Sequence, residues 1–299
     1  MMYYRRKILL SLLQEFDNRL SKIALQKLLF LFTRIQQDKA FDFVPYKFGC
    51  FSFQANYDLK VLSKYDLLAE SGNENTKSWI KTDKNNYSEL LKSTDKQILN
   101  QIIKQFRNFS EAELIKHTYL HYPYYAGKST ILSMILNQEE IKQVRKKQKS
   151  KSESQLFTIG YEGKSFDFYL NQLLINNISL LLDIRRNPIS KKYGFSKSQL
   201  KNACENLGIV YRHIPELGID STDRRDLSSE YDYKKLFMAY EQEIVLNHRD
   251  VLVGIQKEID VNKRIALTCF EADHERCHRG IVVKLLCQLP DWDCKVTHL

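Results

Sequence analysis

The stretch TCFEADHERCHRGIVVKLL, residues 268–286, places Cys269, Glu271, Cys277, His278 and Arg279 ahead of an apolar, helix-like run. Each residue type has a distinct chemical use. Glu271 can act as acid, base or nucleophile if its neighbours tune it, and His278 can shuttle a proton near neutral pH. Arg279 can hold phosphate or carboxylate through two hydrogen bonds. A helix starting near residue 278 adds backbone donors and a positive dipole for the same anion. Cys277, beside His278 and Arg279 at that helix start, sits where a thiol ionises readily.

Cysteine-based phosphatase chemistry does not fit, because it needs five residues between the cysteine and the arginine. Six lie between Cys269 and Arg276, and one between Cys277 and Arg279. A long acidic loop is also unlike the tight cradle of sulfur transfer. The single Cys-x7-Cys-His cluster lacks the paired spacing of zinc modules, so no metal or cofactor is expected. No glycine-rich dinucleotide or triphosphate loop follows a strand, and AGKST at 126–130 lacks the upstream glycine.

The elements around this stretch decide what it can do. RIALTCF before it reads as a buried strand. LFTIGYEG, SLLLDIRRNP and IVYRHIPELG read as further strands, alternating with the amphipathic helices SFDFYLNQLLINN and SKSQLKNACENLG. One long helical stretch is expected from about Asp232 to Lys257, and CKVTHL closes the chain as a short strand. Buried strands alternating with helices imply an α/β, Rossmann-like three-layer domain with a mainly parallel sheet. Ligands of such sheets bind beyond the carboxyl ends of the strands. That rule brings together Gly160 and Tyr161, then Asp183, Arg185 and Arg186, then Glu216, and then Cys269 and Glu271, with Cys277, His278 and Arg279 following. Asp183, Glu216, Glu271, Cys277 and His278 are the expected catalytic residues. Gly160, Tyr161, Arg185, Arg186, Cys269 and Arg279 are the expected ligand-binding residues, with Arg185 and Arg279 as the anion clamp. The alternative is an ion-pair network of Asp183, Arg185 and Arg279 that joins strands.

TIGYEGKSFDFYLNQLL, LLLDIRRNPISKKYGFSKSQL, GIVYRHIPELG and CFEADHERCHRGIVV together resemble the family called domain of unknown function 488, over about residues 156–299. The resemblance implies recurrent positions at Gly160, Asp183, Arg185, Pro188, Glu216, Leu217, Gly218, Cys269, Glu271, Cys277, His278 and Arg279. Tyr161-Glu162 stands where the family more often has a His-Ser pair.

Residues 1–150 form an expected mainly helical domain, and residues 151–299 the α/β domain. The polar, basic run EEIKQVRKKQKSKSESQ (139–155) reads as the linker between them. The first half holds 25 Lys/Arg against 15 Asp/Glu, and the second 21 of each, so the first carries the whole net charge of +10. A basic lobe of this kind can meet nucleic acid or an acidic protein. Its motifs KIALQKLLFLFTRI and DFVPYKFGCFSFQANYDLKVLSKYDLL, with HYPYYA further on, resemble Panacea-type antitoxin domains over about residues 5–130. That resemblance implies an interaction module, in a phage-defence or toxin–antitoxin setting.

The 43% hydrophobic composition excludes a disordered chain. No apolar run reaches the roughly 18 residues of a membrane span, and Gln14, Glu15 and Asp17 interrupt any leader-like core, so a cytoplasmic protein is expected. Six sparse cysteines fit free thiols, with Cys50, Cys204 and Cys287 as small core residues. Two functions compete. One is an enzyme acting on a phosphorylated or glycosidic, nucleotide-like or nucleic-acid ligand. The other is a non-catalytic sensor or antitoxin in which both domains bind.

Overall fold

In a computed structural model that describes residues 2–73, 77–147, 153–220 and 229–299, the chain divides into units Met1–Lys149 and Ser150–Leu299. The first unit runs α1 (Tyr4–Glu15), β1 (Arg19–Ser21), α2 (Lys22–Ile35), β2 (Val44–Tyr46), β3 (Gly49–Phe51), α3 (Phe53–Lys64), β4 (Leu68–Ser71) and β5 (Ser78–Lys81). It continues through α4 (Ser93–Phe106), α5 (Glu111–His121), the one-turn helices α6 (Pro123–Ala126) and α7 (Leu132–Ile135), and α8 (Gln138–Lys146). It is rich in helices, and β4 pairs antiparallel with β5. Strand β1, which no periodicity marked, joins β5 to make the sheet β1-β5-β4.

Helix α2 is the centre of this unit. Ser21 caps it by accepting from the Ala24 amide at 2.9 Å, and every residue from Ala24 to Thr33 is buried. The one charged side chain in that run, Lys27, donates to the carbonyls of Phe48 and Cys50 in the β2–β3 turn. Gly49, at φ +91°, is required there, since a Cβ would sit 2.5 Å from the Tyr119 ring. LQKLLF and PYKFGC are thus two halves of one buried contact. Helix α8 ends at Lys146, and residues 148–152 of the expected linker lie outside the described residues.

The second unit runs β6 (Gln155–Gly160), α9 (Phe166–Ile175), β7 (Leu180–Asp183), α10 (Lys197–Asn206), β8 (Val210–His213), α11 (Glu230–Asn247), α12 (Arg249–Asn262), β9 (Arg264–Cys269), α13 (His278–Leu286) and β10 (Lys295–His298). The five strands form one all-parallel sheet in the order β10-β6-β9-β7-β8. Leu156, Leu180, Leu182, Ile265 and Leu267 face a core shared with α11, α12 and α13. On the opposite face Tyr169 of α9 donates its hydroxyl to Thr268 at 2.8 Å. The Rossmann-like layering expected of continuous apolar strands is therefore present.

The expected long helical stretch is two helices that meet at His248 (φ −134°, ψ 22°). One expectation needs correction. Cys287, expected in the core, is exposed because it ends α13 instead of facing the sheet. All six cysteines are free, and no helix among the described residues is long and apolar enough to cross a membrane.

Candidate functional site at the carboxyl edge of the parallel sheet

Parallel pairing puts the last residues of four strands on one edge. Gly160 of β6 stands opposite Cys269 of β9, and Asp183 of β7 stands opposite Thr268 on one side and His213 on the other. The expected residues from these strands therefore share an edge, but they divide into two groups with different surroundings.

Asp183 and Arg185 form the first group, and they face inward. The carboxylate is fully buried and accepts from Arg185 Nε at 2.8 Å and Nη2 at 2.5 Å. The Tyr211 hydroxyl (2.6 Å) and the Arg185 amide (3.2 Å) complete its shell. Arg185 Nη1 donates to the Phe195 carbonyl (2.8 Å) and the Tyr161 hydroxyl (3.2 Å), and Tyr161 stacks on Phe195 with centroids 4.3 Å apart. Burial, followed by the Asp183 charge, pushes the Tyr211 phenol far above its ordinary range. This is a sealed network that ties β7 to β8 and to the loop before α10. Arg185 does not present a free fork as the expected anion clamp, because four of its five N–H donors are used within this network and it is 6% exposed. Tyr161 is likewise buried in the network. Arg186 and Glu216 are exposed beside it, with Arg186 Nη1 donating to the Pro215 carbonyl at 3.3 Å.

The second group is built by the loop between β9 and α13. Cys269, Cys277 and His278 are all at most 3% exposed, and Glu271 is half-buried. Cys269 Sγ lies 3.2 Å from Glu271 Oε2 and 3.6 Å from His278 Nδ1, and Cys277 Sγ lies 3.9 Å from the same nitrogen. One ligand atom from each of the four residues falls within 4.8 Å of the others. Burial opposes ionisation of Cys277, but the hydrogen bond with Cys269 and the bond and charge of His278 outweigh it and hold the thiol at about 6. Cys269 moves the other way, well above the usual thiol range, through its bond to Cys277 and then its burial.

Arg279 fixes this loop. It is 1% exposed and donates from Nη1 to the Glu271 carbonyl and from Nη2 to the Ala272 carbonyl at 2.8 Å. Its Nε is buried without a hydrogen-bond partner. Gly160 makes room for the loop, since a Cβ there would lie 1.7 Å from the Glu271 carbonyl oxygen.

Sequence reasoning missed a basic rim around the end of β6. Lys164 Nζ donates to the Gly160 carbonyl at 3.0 Å, and Lys192 Nζ donates to the Tyr161 carbonyl at 2.8 Å. Burial, then the charges of Arg279 and Lys192, lower the Lys164 pKa. His274 and His298 stack beside them at 3.5 Å. Burial, then His274 and Arg279, also lower His298. Lys192 precedes α10 and His298 ends β10, so only the sheet order brings them to β6.

Residues 165–286 match the model of a family described as Domain of unknown function DUF488. The matched span contains Asp183, Arg185, Arg186, Glu216, the β9–α13 cluster and Lys192, whereas Gly160, Tyr161 and Lys164 lie just before it. No curated protein matches the chain.

Proposed function

We propose that the second unit is an enzyme, a hydrolase or transferase acting on a phosphorylated, nucleotide-like ligand at the Gly160–Glu271 side of the sheet edge. The observation that carries this reading is the crowding of Lys164, Lys192 and Arg279 around Gly160 and Tyr161. Their donors meet main-chain carbonyls, and Lys164 feels the repulsion of the other two. A phosphate would relieve that repulsion and take up the lysine donors. Half-buried Glu271 is the carboxylate that borders this space, in the position of a general base or acid.

The test is incubation of the full-length chain with nucleotides, phosphorylated nucleosides and 5′-phosphorylated oligonucleotides, followed by mass spectrometry and calorimetry. The reading expects turnover of at least one of these, and weaker phosphate binding for the Lys164→Ala/Lys192→Ala double variant. Absence of both binding and turnover across the panel would refute it. The sealed Asp183–Arg185 pair favours a second reading, a non-catalytic ligand sensor, which expects binding with no turnover. For the first unit we propose a partner-binding module of the Panacea antitoxin-like kind, in a phage-defence or toxin–antitoxin setting. The basic excess of residues 1–150 and the exposed Tyr57, Tyr65 and Phe109 support that reading.

A further inference from the structure

We infer that Cys269, Glu271, Cys277 and His278 form a zinc site, with two thiolates and one imidazole buried and Glu271 as the fourth, solvent-facing ligand. This assignment shares Glu271 and Arg279 with the nucleotide reading, since a metal-bound Glu271 is not a free general base, but its readouts below do not depend on turnover.

Distances support it first. Zinc bonds of about 2.3 Å to sulfur and about 2.0–2.1 Å to nitrogen or oxygen, at tetrahedral angles, place neighbouring ligand atoms roughly 3.5–3.8 Å apart. The separations here are 3.2 Å for Cys269–Glu271, 3.6 Å for Cys269–His278 and 3.9 Å for Cys277–His278. Three of the six separations thus lie near the tetrahedral spacing, and all four donors lie within 4.8 Å of one another.

The histidine supports it next. His278 Nε2 lies 3.0 Å from the Ile184 carbonyl oxygen. A carbonyl oxygen can only accept, so Nε2 carries the proton and Nδ1, facing both sulfurs, is the nitrogen that takes a metal. A ligating imidazole anchored by its other nitrogen to a main-chain carbonyl is the usual outer-shell arrangement. Two thiolates and an imidazole select zinc over magnesium or calcium.

Charge balance is consistent with the site. Bound as thiolates, the two cysteines and the Glu271 carboxylate would carry three negative charges, which would be costly without compensation. A divalent zinc ion and the buried Arg279 guanidinium, adjacent in sequence to His278, balance them. Arg279 also holds the Glu271 carbonyl, so the same side chain that supplies the charge positions the fourth ligand. The end of β9 provides one half of the site and the start of α13 the other. The metal would therefore close the seven-residue loop 270–276 at both ends. Binding releases the Cys269 proton, and any proton still on Cys277 or Nδ1, to the buffer.

The test uses the full-length protein. The purified chain should hold about one zinc per molecule by elemental analysis. After chelation, cobalt(II) should bind and produce thiolate-to-metal charge-transfer absorption and the intense visible bands of a tetrahedral site. Cys269→Ser and Cys277→Ser should each lose that absorption and bind zinc more weakly by over the roughly 10–100-fold that an outer-shell loss costs. Glu271→Gln, a substitution at a half-exposed position, should retain the metal and shift the visible bands. A wild-type chain that takes up neither zinc nor cobalt overturns the site. So does cobalt binding without charge-transfer absorption. Unchanged visible bands in Glu271→Gln overturn the assignment of the fourth ligand. Failure of the nucleotide panel leaves all these readouts unaffected.

Discussion

Arg185 grips Asp183 through two parallel hydrogen bonds, at 2.8 and 2.5 Å, in a pocket where the carboxylate has no exposure. Removing one partner leaves the other charge buried and unmatched. Asp183→Asn is therefore expected to lower the stability of the second unit by about 3–5 kcal/mol. Urea unfolding followed by circular dichroism measures this. A loss below about 1 kcal/mol together with abolished turnover would move Asp183 from structure to catalysis.

Arg279 joins the start of α13 to the loop that carries Glu271. Arg279→Met removes two hydrogen bonds worth about 1 kcal/mol each. Amide exchange across residues 270–276 should then speed up by roughly 10–30-fold. Hydrogen–deuterium exchange read by mass spectrometry tests this, with β7 amides as the internal reference.

The two thiols of the cluster titrate in opposite directions, which sets a pH profile for the metal-stripped protein. Cys277 is held at about 6 against an ordinary 9.0. A depressed acid contributes stability that is full above the ordinary value and is lost as pH falls toward 6. Cys269, raised by its bond to Cys277 and by burial, gives the opposite slope above the ordinary value. Stability due to the pair should therefore rise from pH 6 to about 9 and then decline. Urea midpoints measured across that range should show the rise in the wild type and a flattened profile in Cys277→Ser.

Glu271 is the test of the carboxylate mechanism. Once a substrate is found, Glu271→Gln should reduce kcat by about 100- to 10,000-fold, with substrate affinity changed by less than about threefold. Full activity in this variant removes Glu271 from the chemistry.

In the first unit, Lys27 donates to two carbonyls of the β2–β3 turn from inside α2. Lys27→Ala leaves those acceptors unmet and opens a cavity, with an expected loss of about 2–4 kcal/mol. Fluorescence of buried Trp79 in a Trp292→Phe background reports it, since the chain has 2 tryptophans.

The sequence by itself determined the layering and the chemical inventory. Continuous apolar runs ending in charge, such as LLLDIRR and RIALTCFE, specify buried parallel strands. Ser21 and Ser165 mark helix starts that their side chains do cap. The strand-end rule also located Cys269, Glu271, Cys277, His278 and Arg279 on one edge. Local pattern could not say which charged side chains at that edge face solvent. Only the register of β7 against β8, with Tyr161 and Tyr211 closing over the pair, decided that Asp183 and Arg185 face inward. The Cys-x7-Cys-His spacing argued against a metal because it lacks the paired spacing of zinc modules, and loop residues have no fixed periodicity that would show their donors converging. Their donor atoms converge only because Arg279 and the small Gly160 fold the loop back. The sheet order β10-β6-β9 likewise brought Lys164 and Leu299 together from positions more than a hundred residues apart. Partners separated that far in sequence leave no local signature, so tertiary packing alone sets them.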